Sequence, residues 1–322
     1  MANKRIVPIS NFRQGLKRHF DELKRGQSVH VSSHHKTIGV LLHPSDYWEL
    51  ANGGKRMSEI ITLYNHTGGS AKTTLTRELA FGLAQKGYRV LAVDLDSQAN
   101  LTEFLGYLID VDIRPEHTAL SAILENQPLN PIETRFGFDL VPGHEDLRRV
   151  RRADIAELLN LRKHLKKIAA ERGYQYILID ASPAGETLSS IASASANKLI
   201  CPIPSTIKGL RSIRSTISVV QESASINPDL EILMYVLTRA GRTSGVRYAN
   251  EQITEQLDQL GVPYFNGLTE RSTPFEFAAA ECRPVLSLEY SNRNMSGIET
   301  TKEELNQIVA LLESLTQAPV KS

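Results

Sequence analysis

The chain is poor in cysteine. Only two cysteines, Cys201 and Cys282, occur among its 322 residues, and neither has a second cysteine or a histidine at metal-ligand spacing, so neither a zinc site nor a disulfide framework is expected. Both read as small buried apolar residues. No apolar run reaches the roughly 18 to 20 residues that cross a bilayer, and the opening MANKRIVPIS has no secretion-type apolar core. A cytoplasmic protein is the expectation. There is no internal repeat and no low-complexity tract. Net charge is also scarce, at +1, while hydrophobic residues at 41% and charged residues at 23% fit an ordinary globular chain.

The small net charge hides a division. Residues 1–57 carry ten Lys/Arg against four Asp/Glu, which leaves 27 of the 37 cations and 32 of the 36 acids for the rest. A basic front end before a mildly acidic body suggests an anionic partner for the first part, nucleic acid being the commonest.

Local patterning divides the chain at the same place. From Asn11 to Arg25, Phe12, Leu16, Phe20 and Leu23 recur at helical spacing, and Gly26 supplies a stop. SVHVS and TIGVLL then read as a hairpin around Ser33–Lys36, Pro44-Ser45-Asp46 opens a short helix, and Asn52-Gly53-Gly54-Lys55 reads as a linker. A unit this small has a marginal core, so dimerisation is expected.

Beyond the linker, strands alternate with helices, the mark of a parallel sheet covered on both faces. Strands are expected at Ile60–Tyr64, Val90–Asp94, Phe138–Val141, Tyr176–Asp180, Leu199–Ile203, Ile232–Leu237 and Val262–Phe265. Leu75, Leu79 and Leu83 stripe one helix, and Leu158, Leu161, Leu165 and Ile168 another. The organisation is therefore 1–52 as a small α+β domain, 53–57 as linker and 58–322 as a large α/β domain.

Between the first strand and first long helix of the large domain stands Thr67-Gly68-Gly69-Ser70-Ala71-Lys72-Thr73-Thr74. Small residues let successive backbone N–H groups turn inward around an anion, and the helix start adds its positive dipole end. Phosphate suits such a loop, with Lys72 reaching the terminal phosphates and Thr73 ligating Mg²⁺. His66 and Ala71 stand where the general P-loop pattern has glycines, and a Gly-rich turn capping a helix is the bland alternative. Two further segments favour the phosphate site. Asp94 and Asp96 lie on one side of a strand end by the period-two rule, and Tyr176–Asp180 is an apolar strand with a carboxylate at its tip. In open α/β sheets, ligands sit outside the carboxyl ends of the strands.

On these residues the sequence resembles the ParA/MinD superfamily of P-loop ATPases, whose deviant loop reads Lys-Gly-Gly-x-x-Lys-Thr, followed by an Asp-x-Asp-x-Gln strand end and an apolar strand closing in Asp. The matches are Gly68-Gly69 with Lys72-Thr73-Thr74, then Asp94-Leu95-Asp96-Ser97-Gln98, then Ile179-Asp180. The resemblance extends over residues 58–322, with Val141-Pro142-Gly143, Cys201–Ser205 and Arg271–Pro284 in similar places. It implies that Gly68, Gly69, Ser70, Ala71, Lys72, Thr73 and Thr74 bind ATP, that Thr73, Asp94 and Asp180 serve Mg²⁺, and that Asp96 orients the attacking water, Lys72 and Asp96 being the catalytic pair. One departure matters: Thr67 stands where the family has a lysine that crosses an ATP-sandwiched dimer, so slow or absent turnover is expected.

Residues 1–52 resemble the DNA-binding part of the Phd/YefM antitoxins, through Ile6–Phe12, the helix ending at Gly26, the hairpin with His34-His35-Lys36, and His43–Tyr47. That resemblance implies DNA contacts by Arg13, Lys17, Arg18, His34 and Lys36; an ordinary solvated helix face is the alternative. Together the resemblances imply a dimeric, nucleoid-associated partition ATPase with a ParB-like partner. Arg211, Arg214, Arg239, Arg242 and Arg247 offer a nonspecific DNA surface, or simply a solvated one. A nucleotide-sensing transcriptional repressor is the second reading. A membrane-positioning role is disfavoured, because the C-terminal helix over Thr301–Leu315 sets Leu305, Ile308, Leu312 and Leu315 on one face and acids on the other; docking onto the core is expected instead.

Overall fold

A computed structural model gives the fold and describes residues 4–8, 11, 28–33, 36–41, 58–150, 155–183, 187–241, 243–268, 272–289 and 297–317. The chain divides into two compact units, Met1–Met57 with Ser314–Ser322, and Ser58–Glu313.

The smaller unit holds a three-stranded sheet in the order β1 (Lys4–Pro8), β2 (Ser28–Ser33), β3 (Lys36–Leu41). The expected hairpin is present: β2 and β3 pair antiparallel from Val29↔Leu41 to Ser33↔Lys36. Strand β1 joins β2 in parallel, which local pattern does not reveal because the pairing spans residues far apart in sequence. Val29 and Val31 are buried while Ile38 and Val40 on β3 are exposed. Apart from Asn11, the expected helix up to Arg25 lies outside the described residues, as do the short helix at Pro44 and the linker. Arg13, Lys17, Arg18 and His34 lie outside them as well, and of Lys36 only the backbone is described.

The larger unit is built on eight strands, β4 (Glu59–Leu63), β5 (Val90–Leu95), β6 (Ile132–Glu133), β7 (Asp139–Val141), β8 (Tyr176–Ala181), β9 (Lys198–Pro204), β10 (Glu231–Thr238) and β11 (Tyr264–Asn266). They are ordered β11-β10-β9-β4-β8-β5-β7-β6. All seven expected strands are present, with ends shifted by a residue or two, the usual uncertainty of an element boundary. The eighth, the two-residue β6, pairs antiparallel with β7 at the edge and is too short to carry a periodic signal.

Helices α1 (Lys72–Gln85), α2 (Asn100–Phe104), α3 (Ile109–Asp112), α4 (Leu120–Leu124), α5 (Ile155–Arg172), α6 (Thr187–Ser195), α7 (Ile207–Ser223), α8 (Ser244–Leu260), α9 (Ser272–Ala280) and the part of α10 (Ile298–Gln317) up to Glu313 complete the unit. Because helices cover both faces, β5 and β8 are buried at every position, and their sequences VLAVDL and YILIDA read as near-continuous apolar runs broken only by an aspartate. The expected stripe Leu75, Leu79 and Leu83 is wholly buried, as are Leu161 and Leu165 of the second stripe. Each such side chain contributes roughly 1.5–3 kcal/mol by burial. In α10, Leu305, Ile308 and Leu312 are fully buried, so this helix docks on the core as its apolar face requires. The approach of α1 to α10 is close enough that a Cβ at Gly82 would lie 2.7 Å from Val309. Cys201 is buried on β9, but Cys282 is half-buried with φ 48°, a correction to the expectation that both cysteines are core residues. Among the described residues no helix is long and apolar enough to cross a membrane.

Candidate nucleotide-binding site

Strand β8 lies between β4 and β5, so the carboxyl ends of these three strands form one rim. The loop after β4 turns into α1 there. Its backbone takes left-handed conformations at Gly69 (φ 69°) and at Ala71 (φ 76°), the residue before the helix. A non-glycine residue in that region costs about 1 kcal/mol or more, so Ala71 is held by its surroundings. This sequence of turns leaves the loop's N–H groups free to face an anion at the helix start.

Lys72 opens α1 and is almost fully buried, its Nζ donating at 3.4 Å to the Asn65 carbonyl and at 3.5 Å to that of Thr67. These are long contacts, and a lysine held only by weak carbonyl acceptors is poised for a better anion. Burial lowers its pKa, countered by the charges of Asp180 and Asp96.

Asp94 and Asp180 are register partners across the β5–β8 pair and are both buried, yet their surroundings differ. Asp94 Oδ2 accepts from the Thr102 N–H (2.9 Å) and hydroxyl (2.7 Å), and Oδ1 from the Asp96 N–H (3.3 Å). The Thr102 oxygen in turn accepts from the Gly143 N–H at 2.8 Å. A Cβ on Gly143 would sit 2.7 Å from the Asp94 carboxyl carbon, which is why a glycine occupies this point of the expected Val-Pro-Gly segment. Burial still raises the Asp94 pKa to about 7. Asp180 has no such set of donors: neither buried oxygen has a partner within hydrogen-bond distance, and only the nearby Thr73 hydroxyl offers it one. Burial first, then the Asp94 charge, raises its pKa well above the carboxylate range, with Thr73 and Lys72 pulling it back.

Asp96 stands just past β5, partly exposed, its carboxylate accepting from the Gln98 N–H at 2.9 Å. Thr73 and Thr74 are half-buried on the first turn of α1, Gly68 and Gly69 are exposed, and the buried Ser70 hydroxyl has no partner. Thr67 does not reach outward. Its N–H and hydroxyl both donate to Asn65 Oδ1, at 2.8 and 3.0 Å.

The structure thus brings Lys72, Thr73, Asp94, Asp96 and Asp180 to one rim, as the sequence pattern implies. Two partners escaped sequence reasoning. Thr102 has no motif of its own, and Arg239, considered above as DNA surface or a solvated residue, donates from Nη2 to the Gly69 carbonyl at 3.0 Å. Arg239 is exposed, as are Arg211, Arg214 and Arg247, and Arg242 lies outside the described residues.

Asp180, with its unsatisfied oxygens beside the Thr73 hydroxyl, fits a hard divalent cation. No group of three or more His, Cys, Asp or Glu surrounds a single point among the described residues, so a metal here would need phosphate oxygens to complete its shell, as Mg²⁺ commonly does. A separate cleft of about 770 Å³, lined by Phe81, Arg135, Arg283 and Lys302 among others, lies along the C-terminal half of α1 and includes none of these rim residues.

A family model described as "AAA domain", AAA_31, matches residues 58–232. The "Probable plasmid-partitioning protein ParA" of Thermus thermophilus is 32% identical over 221 residues, covering 62% of this chain and 66% of that protein. The "Chromosome-partitioning ATPase Soj" of the same organism is 33% identical over 189 residues, 57% of this chain and 70% of that one. In structure, a complex of McdA with ATP from Cyanothece superposes with a TM-score of 0.68 at 20% identity, covering 80% of this chain and 96% of McdA. A plasmid partition protein from Borrelia burgdorferi bound to AMPPNP superposes at 0.62 and 20% identity, covering 80% and 99%.

Proposed function

The chain belongs to the AAA_31 family and is a ParA-like P-loop ATPase, and from that premise we propose that it binds ATP with Mg²⁺ and turns it over slowly in the partition of a plasmid or chromosome. The observation that carries this reading is Asp180, buried with no donor within hydrogen-bond distance beside Lys72 and Thr73 at the mouth of the phosphate loop.

In this reading the amides from Gly68 to Thr74 cradle the phosphates and Lys72 exchanges its two long carbonyl contacts for phosphate oxygens. Thr73 and Asp180 would hold Mg²⁺, which would neutralise phosphate charge when bound. Asp94, fixed by Thr102, would support the metal's shell, and Asp96 would orient the attacking water. Positioning and electrostatics provide most of the rate in phosphoryl transfer. The relatives' names as plasmid- and chromosome-partitioning proteins support the biological assignment, and a homodimer and a ParB-like partner belong to the same reading. Residues 1–52 serve as the DNA-binding module through Arg13, Lys17, Arg18, His34 and Lys36, with 53–57 as the linker.

The inward hydrogen bonds of Thr67 favour slow turnover, and they support a second reading in which ATP merely shifts the population of a DNA-binding repressor. Phosphate release by wild type and Asp96→Ala, with and without DNA and partner, separates the two. DNA- and partner-stimulated, Asp96-dependent turnover is expected for the partition ATPase; operator binding with no turnover would transfer the assignment to the repressor. No ATP binding at millimolar Mg²⁺ would sink both.

A further inference from the structure

A charge drawn away from water is costly unless it is paired, so a cation that leaves the surface normally takes a carboxylate with it. In the larger unit Arg77, Arg162, Arg172 and Lys198 are buried or half-buried, and each is paired with an acid. Among the described Lys and Arg, Lys72, Arg283 and Lys302 share that degree of burial, but no described carboxylate pairs with them. Lys72 stands in the phosphate loop. Arg283 and Lys302 belong elsewhere: both line the cleft of about 770 Å³ along the C-terminal half of α1.

What these two cations touch is neutral. Arg283 donates from Nε to the Ser287 hydroxyl at 3.0 Å and from Nη2 to the Ser287 carbonyl at 2.6 Å, using two of the five guanidinium donors. Lys302 Nζ donates to the Leu288 carbonyl. A third cation, Arg135, lines the same cleft; its Nη2 donates to the Cys282 carbonyl at 2.9 Å, and its guanidinium carbon lies 4.9 Å from the centre of the Phe136 ring. The fourth, Lys86, is already paired with Glu313. Glu281 and Glu289 line the cleft too, but both are exposed and neither pairs with a described cation. Residues 290–296, next in sequence, hold no Asp or Glu. Beside the charges lies apolar surface: the Phe81 and Phe136 rings meet edge to face with centroids 6.3 Å apart, and Leu286 adds an aliphatic wall. The volume is that of a small-molecule pocket, roughly 300–1,000 Å³, in which apolar walls commonly surround a few polar groups.

We propose that this cleft is a second binding site, separate from the nucleotide rim, for a small ligand with an anionic head and an apolar body. Arg283 and Lys302 take the carboxylate or phosphate of the head, and Arg135 with the two phenylalanine rings takes the body. The site does not depend on the ATP-binding reading, because it shares no residue with the phosphate loop or the rim carboxylates.

The full chain is titrated with anilinonaphthalene sulfonate, an anion on an aromatic body, and with N-phenylnaphthylamine, the same body without charge. The variants are Arg283→Gln, Lys302→Gln, Lys302→Arg and Asn306→Trp, the last filling the cleft from α10, each with its melting temperature. Gln keeps a donor for the loop carbonyl and removes the charge. Loss of a charge-assisted contact predicts sulfonate binding about tenfold weaker in each Gln variant, recovery to within about threefold of wild type in Lys302→Arg, and loss in Asn306→Trp. The uncharged probe should respond to Asn306→Trp alone. Displacement of the sulfonate by octanoate would identify an acyl carboxylate as the natural class, and displacement by AMP a phosphorylated ligand. The proposal is overturned by a wild type that does not bind the sulfonate, by Gln variants that bind it as well as wild type, or by affinity that falls only in step with melting temperature. Displacement by an acidic peptide alone would also overturn it, and would assign the cleft to a partner protein.

Discussion

Two buried carboxylates in the same unit have opposite surroundings. Glu78, in the middle of α1, is met on both oxygens: Oε1 accepts from Arg77 Nε at 3.1 Å and the Val285 N–H at 2.9 Å, and Oε2 from the Leu286 N–H at 3.2 Å. Asp180, at the end of β8, is met on neither. Burial raises both pKa values, but only for Glu78 do donors built into the fold answer the charge. A buried charge is costly unless paired and hydrogen-bonded. Glu78 therefore acts as a staple between α1 and the segment after α9, whereas Asp180 is kept in a state that a ligand can relieve.

The contrast is easiest to break at Glu78. Glu78→Ala leaves Arg77 buried without its partner, and urea unfolding should report a loss of about 3–5 kcal/mol; a loss below about 1 kcal/mol would mean the staple contributes little. Asp180→Asn should behave differently. Without nucleotide its stability should stay close to wild type, because burial already holds the carboxyl toward its neutral form and the amide has the same shape, while Mg²⁺-dependent ATP affinity should fall by about tenfold or more in calorimetry. A large loss of stability in Asp180→Asn would make the two carboxylates alike and end the comparison. Thr102→Val tests the intermediate case, Asp94, which has donors but lies on the rim: losing the hydroxyl should cost about 1–3 kcal/mol in thermal unfolding, since it leaves both the carboxylate and the Gly143 N–H short of a partner. Smallest is Thr67→Ala. Its hydroxyl shares an acceptor already served by its own N–H, so stability should change by about 0.5 kcal/mol or less, with turnover as slow as in wild type; a marked change in turnover would show that Thr67 has a role of its own at the phosphates.

Much of the α/β unit was legible in sequence. Strands β5 and β8 announce themselves as apolar runs ending in aspartate, and the glycines and lysine between β4 and α1 form a local pattern, because a phosphate loop is made by consecutive residues. Partners that come from distant segments were not legible. Thr102 meets Asp94 across eight residues, Val285 meets Glu78 across 207, and Arg239 meets Gly69 across 170. Arg239 is exposed like the other described arginines of its set, and only its bond to Gly69 sets it apart.

By itself the sequence determined which strand ends carry charge, where the anion loop lies and which helix faces are apolar, since those depend on residue type and short-range period. Tertiary structure alone decided which buried charges are answered. That outcome depends on donors brought in by strand order and by the close approach of segments hundreds of residues apart, and spacing along the chain holds no record of either.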